Sequence, residues 1–281
     1  MIKFISVASG ILFLSLILNL SSANAQYYYK DLISTAQQNK QFSVLKNEKL
    51  HLIKISSFDE NDQPSEGFFC EKKINKNFTQ SQMLSKSNIT GQSLLQTDYN
   101  SKGDVIKTTT TTPTTTNTVE FEYNDHGDIS TIRTNTTGDG DSAGIIETHE
   151  YFYENKKPIK MIRKRNSSVI STITFLTDDK GNIIEEVPSG NSLDKKYFYY
   201  YDDNNQLTDI VHYNTIAKRL LPDYMFEYNS DNQSKQMILV EETARNYFIW
   251  KYSYNDKKLP EIQKCFSKEK TLLGTIQFDY E

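Results

Sequence analysis

The phrase EYNDHGDISTI, residues 122 to 132, returns along the chain with only its details changed. DYNSKGDVIK begins at Asp98, LTDDKGNIIEE at Leu176, YYDDNNQLTDI at Tyr200 and EYNSDNQSKQM at Glu227. Aligned on the residue before each turn, the copies are anchored at Tyr99, Tyr123, Tyr153, Thr177, Tyr201, Tyr228, Tyr254 and Tyr280, with Phe175 supplying the aromatic beside Thr177. The spacings are 24, 30, 24, 24, 27, 26 and 26 residues. A recurring period of this size marks a repeat architecture, in which each unit buries its apolar face only against its neighbours. A weaker copy, SFDENDQPSEGF, is expected to open the array at Phe58.

Each unit reads as a β-hairpin. Period-two alternation places Phe248, Trp250, Tyr252 and Tyr254 on one face, and likewise Tyr224, Phe226 and Tyr228. Asn or Asp follows the anchor and can bond back to the chain. Four residues after the anchor comes Gly103, Gly127 or Gly181, where a positive φ suits a type I turn closed by a bulge. Asn205 and Asn232 hold the same place, and Asn tolerates the left-handed region. Val105, Ile129, Ile159, Ile183 and Leu207 then reopen the apolar face.

The 18 Tyr and 15 Phe, against 11 Gly and 6 Pro, favour pleated, half-buried surfaces. Counting from about Lys49 gives sixteen to eighteen strands. An open twisted sheet rarely exceeds ~10 strands, so the expected fold is all-β: consecutive antiparallel hairpins wrapped into a large barrel or a curved, flattened sheet. The anchor aromatics Phe121, Tyr123, Tyr201, Phe226, Tyr228 and Trp250 are expected to be buried on one face.

These phrases resemble the YD repeats of RHS-type proteins, in which tyrosine, aspartate and a glycine turn precede an aliphatic strand. Tyr201-Asp202 through Leu207 is the nearest copy and Tyr123 through Ile129 the next, and the resemblance covers roughly residues 58 to 281. The arginine common after the turn glycine is replaced by Asp104, Asp128 and Asn182. RHS arrays build shells around a C-terminal toxin, whereas here no cargo segment is expected after Tyr280-Glu281. The chain is also similar to short secreted YD-repeat proteins of Bacteroidota. The resemblance implies a β-repeat fold and a leaning toward carbohydrate binding.

Residues 1–25 read as a signal peptide, with Lys3, an apolar run from Ile5 to Leu20 and an Ala23-Asn24-Ala25 cleavage site. Residues 26–48 read as an N-terminal arm or short helix, because Leu32, Ile33, Ala36 and Gln37 have loose helical spacing. The β-repeat domain follows over 49–281. Without the leader, 31 basic residues face 36 acidic ones, a net charge of −5, which points away from nucleic acid and anionic lipid. No later segment approaches the ~20 apolar residues of a spanning helix. A transmembrane β-barrel is the alternative to an exported one, but IKMIRKR (159–165) carries charge on both faces of its strand. The expected location is periplasmic, cell-surface or extracellular.

The sequence holds no nucleophile, phosphate-loop or dinucleotide motif. His51, His126, His149 and His212 lack metal-ligand spacing. The one candidate metal site lies in GDGDSAGIIETHE, where Asp139, Asp141, Gly144, Ile146 and Glu150 match positions 1, 3, 6, 8 and 12 of an EF-hand loop. Asp139, Asp141 and Glu150 are the expected calcium ligands, although Ala143 stands where a fifth-position ligand belongs. A plain polar hairpin extension is the simpler reading, and no other cofactor is implied. Asp141-Ser142-Ala143 also resembles an O-glycosylation acceptor of secreted Bacteroidota proteins. The tract TTTTTPTTT (108–116) is read as a solvated loop, since Pro113 cannot donate to a ladder. Cys70 and Cys265 are expected to be two buried thiols rather than a bridge.

The expected function is a non-enzymatic, secreted or surface-associated binding or structural module presenting a Tyr-rich β surface to carbohydrate or protein. An enzyme with strand-borne carboxylates in a barrel mouth is the alternative, beside the membrane barrel.

Overall fold

In the computed structural model, residues 27–138, 144–190, 196–241 and 246–281 are described. The expected leader lies outside them, as do Asp139, Asp141, Ser142 and Ala143. One helix, α1 (Tyr29–Asn47), precedes the strands. In chain order these are β1 (Leu52–Phe58), β2 (Phe69–Ile74), β3 (Gln80–Ser87), β4 (Gly91–Tyr99), β5 (Val105–Thr111) and β6 (Thr115–Tyr123). They continue as β7 (Ile129–Gly138), β8 (Ile145–Glu154), β9 (Lys157–Arg165), β10 (Ser168–Thr177), β11 (Ile183–Pro188) and β12 (Tyr197–Tyr201). The last six are β13 (Leu207–Asn214), β14 (Arg219–Tyr228), β15 (Ser234–Val240), β16 (Tyr247–Tyr254), β17 (Pro260–Phe266) and β18 (Leu272–Tyr280).

Every strand pairs antiparallel with its sequence neighbours, and β1 pairs with β18 as well as β2. The eighteen strands therefore close into a barrel. His51 and Leu52 donate their N–H groups to the Glu281 carbonyl, which seals the seam at the chain's end.

The repeated turns all lie at one end of this barrel, here the tyrosine end. In three of them the Asn after the anchor accepts from two later backbone N–H groups, Asn100 from Lys102 and Asp104, Asn124 from His126 and Asp128, and Asn229 from Asp231 and Gln233, while Asp178 and Asp202 accept from Asn182 and Gln206. Gly103, Gly127 and Gly181 sit at φ 87° to 95°, and Asn205 and Asn232 at 68° and 60°. The ladder slips by one residue before each turn, the mark of the bulge. The β8–β9 connection differs: it is a two-residue turn with Asn155 and Lys156 both at positive φ.

The anchor tyrosines have a specific task. At the tyrosine end a turn joins the two strands of one hairpin, but nothing covalent joins that hairpin to the one before it. The hydroxyl bridges this open seam. Tyr123 donates to the Val105 carbonyl at 2.8 Å, Tyr153 to Ile129 at 2.8 Å and Tyr201 to Ile183 at 2.8 Å. Tyr228 donates to Leu207 at 2.7 Å, Tyr254 to Ser234 at 2.9 Å and Tyr280 to Pro260 at 2.6 Å. Of the expected buried anchors, only Trp250 is fully enclosed; Phe121, Tyr123, Tyr201 and Phe226 are half-buried and pack against the core, and Tyr228 is half-buried.

Two expectations are corrected. Phe58 precedes a connection at the opposite end, so the copy that opens the array in phase is Ile74-Asn75, where Asn75 accepts from Thr79 and Gln80. The threonine tract is not a loop: Thr108–Thr111 and Thr115–Thr118 form facing strands, and only 112–114 turn. β-branched threonine fits a pleated ladder, and Pro113 sits where no ladder bond is needed. Cys70 and Cys265 are free and buried. Cys70 lies level with Ile55 and Phe278, whereas Cys265 lies level with Gly274. The thiols are thus three strands and four residues apart, roughly 14 Å across and 13 Å along the wall, beyond the reach of a bridge. Burial pushes each thiol up to about 12.

Tyr228→Phe should cost about 0.5–1.5 kcal/mol, the net worth of one hydrogen bond, and should add to Tyr123→Phe because the sites are distant. Trp250→Ala should cost about 3–5 kcal/mol. Urea denaturation of each variant checks both values.

Candidate functional site

Helix α1 spans the tyrosine end of the barrel as a strut, with its N-terminus dipping inward. Its N-terminus packs among β8, β10, β11 and β12, while Phe42 and Leu45 pack against β1, β2, β4 and β5 on the opposite wall. The Phe42 ring stacks on Tyr99 with centroids 3.4 Å apart. Asn39, at mid-helix, is bound by the Val105 N–H and lies 3.3 Å from the Tyr123 hydroxyl. Ala36, Gln37, Lys40, Ser43 and Asn47 remain exposed, forming one solvent-facing stripe.

The N-terminus of α1 has no side-chain cap of its own. A strand supplies one. The buried Glu186 carboxylate on β11 accepts the Tyr28 N–H at 2.9 Å, the Tyr29 N–H at 3.0 Å and the Tyr199 hydroxyl at 2.9 Å. A helix N-terminus carries orphan N–H groups and a positive dipole end, so a carboxylate there is favourable. Burial pushes the Glu186 carboxyl up to about 7, against the pull of those donors.

A second cluster lies beside it on β8. Alternation turns Glu147, His149, Tyr151 and Tyr153 inward. His149 Nδ1 is 2.7 Å from Asp31 of α1, and Nε2 is 3.1 Å from Glu147. The Tyr151 hydroxyl donates to Asp31 at 2.8 Å, and Arg163 holds Glu147 through two bonds of 3.0 and 2.7 Å. Burial opposes charge on His149, yet the bonds to Asp31 and Glu147 outweigh it and raise its pKa to about 9. Burial also opposes charge on Glu147, but His149 and Arg163 hold it well below the usual carboxylate range.

A histidine between two carboxylates has the composition of an acid–base relay. Its geometry is that of a clamp. Both ring nitrogens are engaged, His149 is 7% exposed, and each carboxylate is already met by donors. The shared partner is Asp31, so the cluster fastens the arm to the wall. A groove of about 550 Å³ between the 124–128 and 155–156 turns includes His126, Ser130 and Lys156 but no carboxylate.

The expected calcium site lies largely outside the described residues. Asp139 and Asp141 lie outside the described residues, and Glu150 faces outward on β8, paired with Lys164 at 2.5 Å. Among the described residues no group of three or more His, Cys, Asp or Glu side chains is placed to hold a metal. Glu147, His149 and Glu186 were missed by motif reading. The available signal was alternation: in ETHEYFY the face of Tyr151 and Tyr153 also carries His149 and Glu147, and adjacent Glu185 and Glu186 must send one carboxylate inward.

No protein-family model matches this sequence, and no curated protein matches it. Among solved structures, a porin-like protein from Bacteroides uniformis is similar at 12% identity and a TM-score of 0.41, covering 83% of this chain and 98% of that one. A porin-like protein from Bacteroides vulgatus is similar at 9% identity and 0.26, covering 80% and 97%. The TcdB2-TccC3-Cdc42 complex aligns at 12% identity and 0.31, covering 76% of this chain and 10% of that one. Likenesses this distant carry no functional argument.

The His149 clamp gives a pH dependence with a definite sign. Its folded pKa lies above the ordinary 6.5, so its stabilisation is complete below pH 6.5 and is lost as pH rises through 9. The melting temperature should fall across that window, and His149→Gln should flatten the fall. Glu186→Gln should cost about 1–3 kcal/mol by facing an amide toward N–H donors, with hydrogen-exchange protection of residues 29–47 falling first.

Proposed function

We propose that this chain is an exported, non-catalytic binding or structural module of the cell envelope, in which the barrel grips its own N-terminal arm. The observation that carries this reading is that the carboxylates around the arm are saturated: Glu147, Glu186 and Asp31 all serve the arm and its clamp. The leader-like residues 1–25 support export. The resemblance to YD repeats fits the tyrosine and Asx roles described above.

The outer wall favours an aqueous barrel over a lipid-embedded one. Lys54, Lys73, Glu122, Arg133, Lys251 and Asp279 stand exposed on it, with Arg133 and Lys251 at mid-strand. A spanning barrel needs an outward apolar band ~25 Å tall. The Tyr-rich surface is turned inward, with hydroxyls bonded to main-chain carbonyls, and only Tyr200 and Tyr247 stand exposed, at 49% and 36%. With the tyrosines turned inward, the proposed binding face is the rim opposite the tyrosine end, and the proposed partner is a protein or surface rather than carbohydrate.

Expression with the native leader followed by fractionation tests the reading. The expected product begins at Gln26 and leaves the envelope fraction without detergent. A requirement for detergent would support the membrane barrel instead, and turnover abolished by His149→Gln or Glu186→Gln would support the enzyme.

A further inference from the structure

The arm enters the ring well below the anchor tyrosines. Tyr27 is 7% exposed, and its ring packs against Tyr197, Tyr199 and Tyr224 with centroids 5.5, 6.2 and 6.0 Å away. Tyr197 lies four residues before the anchor Tyr201, and Tyr224 four before Tyr228. At ~3.3 Å per residue these rings stand roughly 13 Å inward of the turns. The expected leader cut after Ala25 creates a terminal ammonium on Gln26, one residue before this buried position. Even a fully extended chain keeps that nitrogen within about 7 Å of the Tyr28 N–H.

The Tyr28 N–H is held by a carboxylate without a cation. Glu186 is 1% exposed, and every hydrogen bond it accepts comes from a neutral donor: the Tyr28 and Tyr29 N–H groups and the Tyr199 hydroxyl. The titratable groups facing it are Tyr27, Tyr28 and Asp31 from the arm, Tyr151 from β8, and Tyr197 and Tyr199 from β12. Its register partner on β10 is Phe175. His149 and Arg163 are committed to Asp31 and Glu147, and Lys30 is drawn by Asp31. Among the described residues Glu186 therefore makes no ion pair. A glutamate this buried is almost never left without a charged partner.

We propose that Glu186 is the seat of the chain's own mature N-terminus: removal of the leader frees the Gln26 ammonium, which becomes the counter-ion of the carboxylate that caps α1. The proposal deepens the reading of the chain as an exported module and rests on it, because cleavage after Ala25 supplies the charge. Before the cut, the Gln26 nitrogen is a neutral amide and Glu186 stays unpaired. Processing therefore strengthens the docking of the arm. Tethering favours this cation over a free one, since a group held a few bonds away meets its partner at high effective concentration. Asp223, also beside Tyr27, already faces His212 at 2.8 Å. Glu186 is thus the carboxylate that the new charge serves.

The test compares the exported, leader-cleaved chain with the same chain acetylated at Gln26. Acetylation should lower the melting temperature by about 2–4 °C. It should have no effect in Glu186→Gln, where the partner charge is gone, and its full effect in Asp223→Asn. A second measurement needs no substitution: the titration of Glu186, followed by carboxylate NMR in the free and acetylated chains. A nearby ammonium favours the charged carboxylate, so the proton affinity of Glu186 should be about ten-fold lower in the free chain. Equal melting and equal titration of the two chains would overturn the proposal, and so would a coupling to Asp223 instead of Glu186. N-terminal sequencing separates this from the reading beneath it. A chain beginning elsewhere than Gln26 overturns the leader reading and the seat together, whereas a chain beginning at Gln26 with an uncoupled amine overturns the seat alone.

Discussion

An eighteen-strand ring is too wide for its own side chains to fill. At ~4.8 Å per strand and the usual tilt, its diameter is roughly 30–35 Å, and barrels of this count otherwise leave an aqueous channel. This chain crosses the gap with α1, whose 19 residues span about 28 Å. Phe42 and Leu45 meet one wall, and Tyr27 and Tyr28 the other. The arm lets an inward aromatic face become a core. Its burial brings a helix N-terminus into the interior, which is why a strand glutamate, Glu186, has to receive it.

The clamp and the strut are consequences of one another. A buried carboxylate without donors would be costly, and a buried helix end without acceptors equally so. Glu186 answers both, and Asp31 brings His149 and Glu147 into the same arrangement. These groups satisfy one another, so the cluster resembles a catalytic constellation in composition while each of its members is engaged within the fold. That distinction rests on geometry rather than on which residue types are present.

The outer surface shows how an average conceals a pattern. Residues 26–281 carry a net charge of −5, and the charge is unevenly spread: the β1–β2 connection alone has four acids and no base. These are Asp59, Glu60, Asp62 and Glu66. The most exposed aliphatic residues, Ile216 and Val169, stand on other hairpins, β13–β14 and β9–β10.

Local chemistry was legible directly. An anchor residue (Tyr, or Thr177), then Asn or Asp, then Gly or Asn at a positive-φ position set the turns at 100–104, 124–128, 178–182, 202–206 and 229–233, because each is decided within about five residues by hydrogen bonds and sterics. Period-two alternation likewise determined which aromatics face inward. The phase of the first repeat was not decided this way, since Phe58 and Ile74 both precede turn-like residues and only strand parity separates them. Threonine 108–118 misled for a related reason: its ladder depends on neighbours β4 to β7 rather than on its own composition. Barrel closure, the strut of residues 29–47 across the tyrosine end, and the meeting of Glu186 with Tyr28 across 158 residues were settled by tertiary structure alone. Those contacts join groups far apart in the chain, and no local propensity encodes a partner that arrives only when the ring has closed.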